Sequence, residues 1–232
     1  MICSIHQPQS FPWLGYFAKI HASDLFIFLD NVQYKKNEFQ NRNRIKYNGK
    51  ANWLTIPVKY SFGQLINEIK INHNVNWRRK ILNTLKSYYA HAPYFDGYYS
   101  EIEPFINQPH DYLAEFNIGF ANWLLDKIGI QTQTLIASEL FSTKQLHQYE
   151  ASEKLVRLLK KAKADVYLSG AGGKNYLNES IFHKYNIKIQ YQNYIHPEYQ
   201  QLGEDFVSHL SILDLLFNEG PKSKEIIIKG NQ

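Results

Sequence analysis

The run Asp24-Leu-Phe-Ile-Phe-Leu-Asp30 constrains the fold more than any other stretch of the chain. Successive side chains of a strand point to opposite faces, so an unbroken apolar run bounded by acids suits a strand covered on both sides. Strands of that kind belong to parallel sheets whose helices lie on both faces. The residues before it agree. Residues 2–5 form a short apolar run that stops at His6-Gln7-Pro8, and Pro8 and Pro12 keep the next segment out of a helix. Residues 14–21 then place Leu14, Phe17, Ala18 and Ile20 at helical spacing.

The same alternation returns after a helical middle. Residues 53–58 read as a strand ended by Pro57 and Lys59. Asn76 can cap a helix over 77–90, with Ile81, Leu82 and Leu85 inward. A weaker helix spans 94–106, and a stronger one spans 111–128, with Leu113, Phe116, Phe120, Trp123, Leu124 and Ile128 on one broad face and Gly129 as its stop. Residues 132–136 read as a strand, 150–163 as an amphipathic helix, and 165–170 as a strand entering a glycine-rich turn. A helix over 176–185, a strand over 187–191 and a closing helix over 211–217 complete the chain. The expected fold is α/β: one domain over 1–232, built on a Rossmann-like parallel sheet, with a helical subdomain or lid at about 76–129.

Charge and cysteine content narrow the classes of partner. A net charge of +5 and a pI of 9.0 favour anions such as nucleotides, sugar nucleotides or RNA. The sharp basic stripe of a dedicated DNA binder is missing. The single cysteine, Cys3, excludes an internal disulfide and a cysteine-based zinc site, and the nine histidines are scattered without metal-ligand spacing. No metal is expected. Neither a signal peptide nor an apolar run of about 18 residues is visible, so a cytoplasmic protein without a membrane span is expected.

In open parallel sheets ligands bind beyond the carboxyl ends of the strands. That rule directs attention to residues 6–15, 30–44 and 169–175. In the first, the His6-Gln7-Pro8 turn, His6 at a strand end can hold a phosphate or act as acid or base, and Gly15 permits close approach to a helix start. The turn resembles that of HIGH-type nucleotidyltransferases, although the second histidine of that motif is missing and His21 lies too far along the helix to replace it. In the second, Asp30 and Gln33 precede Asn41, Arg42, Asn43 and Arg44, whose guanidinium forks suit phosphate or carboxylate; Lys35 and Lys36 add positive field. In the third, Ser169, Gly170, Gly172, Gly173 and Lys174 form a candidate anion nest. Each has a plain structural reading beside it: a rigid proline turn, a solvated loop and a left-handed glycine turn. His196 stays open between the two kinds of role, and Asp214 reads as structural.

The segments HQPQSFPWLGYFAKI, DLFIFLDNVQY, NRNRI, WLTIPV, YLSGAGGKNYL and HPEYQQLGEDFVSHLSILDLLFNEG, in that order, resemble the WbqC-like family over nearly the whole chain. The resemblance implies a place in bacterial surface-polysaccharide or O-antigen biosynthesis, and transfer of glycine onto an amino sugar or sugar nucleotide. Such a reaction draws on ATP or on a preformed donor such as a charged tRNA. His6 and Asp30 are then the catalytic candidates. Arg42, Arg44 and the 170–174 turn would hold phosphates, with Gln7, Gln33, Asn41 and Asn43 orienting substrate. A nucleotidyltransferase and a non-catalytic nucleotide- or RNA-binding accessory protein remain as alternatives.

Overall fold

The computed structural model describes residues 1–231, His147 by its backbone alone. Along the chain, β1 (Ile2–His6), α1 (Leu14–His21) and β2 (Leu25–Phe28) come first. A hairpin of β3 (Arg42–Tyr47) and β4 (Lys50–Thr55) follows, then a short pair, β5 (Val58–Lys59) and β6 (Lys70–Ile71). Three helices, α2 (Trp77–Tyr89), α3 (Phe95–Asn107) and α4 (Leu113–Ile128), lead to β7 (Gln133–Ile136). Next come α5 (Ala137–Leu140), α6 (Thr143–His147), α7 (Ala151–Lys161) and β8 (Val166–Ser169). The chain closes with α8 (Glu179–Lys184), β9 (Lys188–Tyr191), α9 (Ile212–Glu219) and α10 (Ser223–Lys229).

All four residues of β2 are buried, as their unbroken apolar character requires. Phe26 and Phe28 point into a cluster with Leu14, Phe17 and Ile20 of α1, while Leu25 and Ile27 point into a second cluster with Leu155, Val156 and Leu159 of α7 and Phe182 of α8. Each such side chain contributes roughly 1.5–3 kcal/mol on burial. The main sheet runs β7-β2-β1-β8-β9 with every neighbour parallel. This is the α/β architecture expected. From β1 the chain first builds outward through β2 to β7, then returns to place β8 and β9 on the other side. The strand order therefore reverses between β1 and β8, the kind of position where open α/β sheets leave a crevice.

The helical middle shares its core with the α1 side of the sheet. Phe116 and Phe120 of α4 meet Phe11 edge to face at 5.9 and 5.4 Å, in one continuous cluster with α1. Asn76 caps α2 by accepting from the Arg79 N–H, and Gly129 ends α4 with a left-handed φ of 69°. Arg78, near the α2 start, stacks on Trp77 and donates to Ile106 O and Gln108 O, so it fastens the end of α3.

Three expectations need correction. Residues 42–44 do not lie in a loop: they are β3, paired antiparallel with β4. The turn between them is Asn48-Gly49, both with positive φ (49° and 70°), which is the backbone of a type I′ hairpin. The 169–175 segment is a strand end and a turn of 3-10 helix (Ala171–Asn175), and none of its glycines has a positive φ. It lacks the alternating left-handed backbone of an anion nest. Finally, α8 covers less than the expected 176–185.

Asp214 on α9 is structural, as its setting shows. It is fully buried, and its two oxygens accept from Tyr89 Oη at 2.7 Å and Tyr199 Oη at 2.9 Å. Tyr89 Oη itself accepts from the Lys46 N–H at 2.8 Å, so the carboxyl joins α9 to α2 and β3. Burial pushes its pKa up to about 6 against the lowering effect of the two hydroxyls. An acid whose folded pKa is raised holds its proton more tightly in the folded state. Its contribution is therefore fullest below the unfolded value near 4 and is lost as pH rises to about 6. Asp214→Asn should remove this dependence, making the variant's deficit relative to the parent larger at pH 4 than at pH 7. Denaturant unfolding of both proteins at the two pH values measures it, and parallel curves would show that Asp214 does not titrate in this window.

Candidate functional site

The turn after β1 is held from several sides. Ser10 Oγ donates to Asn117 Oδ1 (2.7 Å), and Asn117 Nδ2 donates to Gln40 O (2.7 Å). Asn43 Nδ2 donates to Phe11 O (2.8 Å), fixing a buried phenylalanine at a positive φ of 49°. A non-glycine residue in that region costs on the order of 1–3 kcal/mol, and here packing and the Asn43 bond offset it. Gln40 Nε2 donates to Gln7 Oε1 (2.7 Å). Asn43, Asn117 and Gln40 thus fix where His6 and Gln7 stand.

His6 Nδ1 lies 3.0 Å from Gln7 O. A carbonyl oxygen only accepts, so Nδ1 carries the proton and Nε2 is left as an acceptor. The ring meets Tyr16 edge-on at 5.1 Å. Burial, reinforced by the charge of Lys19, pushes the imidazole pKa down to about 3. Burial likewise brings Lys19 down to about 7. His6 is therefore neutral near pH 7. It can receive a hydrogen bond from a ligand, but it supplies no positive charge to a phosphate.

A cleft of about 520 Å³ opens beside His6 and Gln7. Its near wall continues through Leu29, Asn31, Val32, Gln33 and Lys35, which follow β2; Ala151, Lys154 and Leu155 of the first turns of α7 form another wall. Ile5 of β1, Leu146 of α6, Tyr167 of β8 and Tyr176 complete the lining. No carboxylate stands among these residues, and the ionisable cations are Lys35 and Lys154. No side chain caps α7, whose N-cap is Glu150. The exposed N–H groups of a helix start carry partial positive charge. The charged side chains that line the cleft favour an anion, although Glu150 and Glu153 stand at the same helix start.

The other residues singled out in the sequence lie elsewhere. Asp30 is buried, with Oδ1 accepting from the Ser138 N–H (2.9 Å) and Oδ2 from Ser138 Oγ (2.6 Å) and Asn67 Nδ2 (3.4 Å). It joins β2 to the start of α5 and borders a different recess, with Glu115 and Glu139. Arg42 stacks on Trp53 at 4.1 Å and donates to Asn37 O, Arg44 donates to His209 O (3.3 Å), and Asn41 donates to Ile56 O (3.0 Å). These three brace the hairpin. The space over Gly15 is filled by the Trp13 indole, 2.3 Å from where a β-carbon would stand, so the glycine admits this ring rather than a ligand. Gly173 faces Ser169 Oγ in the same manner, Gly170 and Gly172 open on empty space, and Lys174 lies over the Tyr191 ring at 5.2 Å. Buried Ser169 donates to Gly170 O. His196 stacks on Trp13 and lies 4.8 Å from the His209 ring, outside the cleft; burial pushes its pKa down to about 4. Among the described residues no group of three or more histidine, cysteine or carboxylate side chains is placed to hold a metal.

His6, Gln7 and Gln33 therefore share the cleft with two residues that sequence reading left aside, Asn31 and Lys154. Lys154 looked like one more charge on an amphipathic helix. Only the return of the chain to β8 brings the start of that helix beside β1.

The WbqC-like protein family matches residues 7–226. An uncharacterized protein of Mycobacterium tuberculosis is 32% identical over 230 residues, covering 97% of this chain and 96% of its own length. No solved structure matches the chain. With nearly the full length matched on both counts, the chain belongs to the WbqC-like protein family.

Proposed function

We propose that the protein is a transferase of surface-polysaccharide biosynthesis that acylates the amine of an amino sugar or sugar nucleotide with activated glycine, using the strand-end cleft. The observation that carries this reading is the cleft itself: roomy, free of carboxylates and bordered by two lysines where the strand order reverses. Such a site suits a substrate bearing phosphate. The acyl chemistry comes from what membership of the family implies. Cytoplasmic action is part of the same reading; no helix among the described residues is long and apolar enough to cross a membrane.

In the transfer, the amine nitrogen attacks the carbonyl carbon of the activated glycine. The new C–N bond forms, the bond from that carbon to its leaving oxygen breaks, and the proton lost by the amine passes to the departing oxygen, directly or through water. The leaving oxygen belongs to the phosphate of an adenylate made from ATP, or to the ribose ester of a charged tRNA. His6 is among the residues lining the cleft, and its Nε2 is a neutral acceptor. It receives a hydrogen bond from the amine and orients its lone pair. A pKa of about 3 suits it to positioning more than to storing a proton at neutral pH.

Calorimetry of the protein with ATP and with UDP-glucosamine, followed by mass spectrometry of the sugar nucleotide after incubation with glycine and ATP or with glycyl-tRNA, tests the reading. Saturable binding and a glycylated product are expected; absence of both sinks it. His6→Ala should slow turnover by about 100-fold or more while leaving the melting temperature within a few degrees. An unchanged rate would remove His6 from the mechanism. Because His6 stays neutral, the rate of the parent protein should show no inflection owed to His6 between pH 5 and 8. An inflection there that disappears in His6→Ala would contradict the assigned protonation state.

A further inference from the structure

The net positive charge of the chain is concentrated in one stretch. Residues 31–67 hold seven of the 26 lysines and arginines and one of the 21 acids, a charge of +6; the other 19 and 20 leave the rest of the chain at −1. The same stretch holds five of the eight well-exposed aromatic rings among the described residues: Phe39, Tyr47, Trp53, Tyr60 and Phe62. Rings left in water forgo the gain of burying their apolar area, so a cluster of them marks a surface that something else covers. Part of their setting is a sheet face. Asn43, Ile45 and Leu54 of the β3–β4 hairpin are buried, which turns Arg42, Arg44, Trp53 and Thr55 to the opposite side. The Arg42 guanidinium lies 4.1 Å over the Trp53 ring, which meets Phe39 at 6.0 Å. Arg42 also donates to Asn37 O, and the preceding residue, Lys36, stands 5.9 Å over Tyr60. One surface therefore joins Phe39 and Trp53 to Tyr60, and Lys35, next in the chain to Lys36, lines the cleft.

We infer that this surface docks single-stranded RNA, whose bases stack on the exposed rings while its phosphates meet the neighbouring cations. Base and phosphate alternate along a strand as ring and cation alternate here, and stacking on a ring tolerates any base. An anionic membrane fits less well. Lipid separates its charged layer from its apolar one, whereas Arg42 and Lys36 stand over the ring faces themselves. Burying Trp53 or Tyr60 in hydrocarbon would carry a charge in with it. A nucleic-acid duplex offers phosphates but no free base faces, because its bases are stacked on one another. The choice of RNA rests on the transferase reading of the adjoining cleft, where a ribose ester is one of the two glycine donors, and it selects that donor over the adenylate.

The test is fluorescence anisotropy with a labelled oligoadenylate of about 12 nucleotides and an RNA duplex of equal length, beside sedimentation with phosphatidylglycerol vesicles. Saturable binding of the single strand, tighter than that of the duplex, is expected. Trp53→Ala should weaken it by about tenfold or more, the loss of one stacked base. Lys36→Ala should lower the slope of log affinity against log salt by about 0.7, the loss of one phosphate contact. Lys188→Ala, which removes an exposed lysine from the edge strand β9, should bind as the parent does. Circular dichroism and melting temperature report that the variants fold; if Trp53→Ala does not, Phe39→Ala carries the same comparison. Equal affinity for strand and duplex, or equal losses from Trp53→Ala and Lys188→Ala, would reduce the effect to general attraction and overturn the docking surface. Vesicle binding that Trp53→Ala abolishes, in a protein indifferent to RNA, would assign the surface to a membrane and overturn it too. RNA binding that depends on Trp53, in a protein that transfers glycine from neither donor, would keep the surface and remove the transferase reading. Glycine transfer driven by ATP, in a protein that binds no RNA, would keep the transferase reading and remove the surface.

Discussion

A strand with no wet face sets the terms for the rest of this protein. Once Leu25–Phe28 is fully apolar, something must cover Phe26 and Phe28 on one side and Leu25 and Ile27 on the other. The chain does this with α1 on the first side and α7 and α8 on the second. Helices on both faces require crossovers, and a crossover that starts beyond β7 must pass back over the sheet before β8 can pair with β1. The start of α7 is thereby delivered to the ends of β1 and β2. The cleft follows from covering the strand, which is why its charged wall comes from a helix whose main task is to bury Leu155, Val156 and Leu159.

Much of this was legible in the sequence. Short apolar runs and helical spacing placed β1, α1, β2, α2, α4 and α7 close to their observed bounds, because their patterns arise from burial, which local residues must satisfy. The strand read over 53–58 overlaps β4 (Lys50–Thr55), but β3 and its pairing into a hairpin were missed. Asn41 to Arg44 is polar enough to read as a loop, and its strand character depends on partners that sequence distance hides: Phe11 O for Asn43, Trp53 for Arg42 and His209 O for Arg44. A signal was present in Asn48-Gly49, the dipeptide favoured in tight hairpins. Asparagine and arginine fix hydrogen bonds wherever they stand, so composition alone does not tell a ligand contact from a brace.

The candidate site was legible in part for a related reason. His6, Gln7 and Gln33 follow strands recognisable from their own residues, and strand ends are where ligands gather in such folds. Asp30 has the same placement in the sequence, but its carboxylate is taken up by Ser138 and Asn67. The glycines near residue 170 suggested a phosphate loop, yet Gly173 serves the packing of Ser169 and the backbone there keeps ordinary helical φ values. Asn31 and Lys154 carry no distinguishing pattern. Their interest comes from the meeting of distant segments, which only three-dimensional structure displays.

That meeting has a consequence for the life of the chain before it is complete. His6 and Asn31 leave the ribosome early, but the wall carrying Lys154 takes its place only when β8 docks against β1, well over a hundred residues later. Long-range parallel pairing is also among the slower events of folding. A nascent chain therefore lacks both the cleft and a complete α1-side core, since Leu213, Leu216 and Phe217 of α9 and Ile227 of α10 also come after β8. The cleft is whole only once β8 has docked against β1 and brought Tyr167 and the start of α7 to its walls.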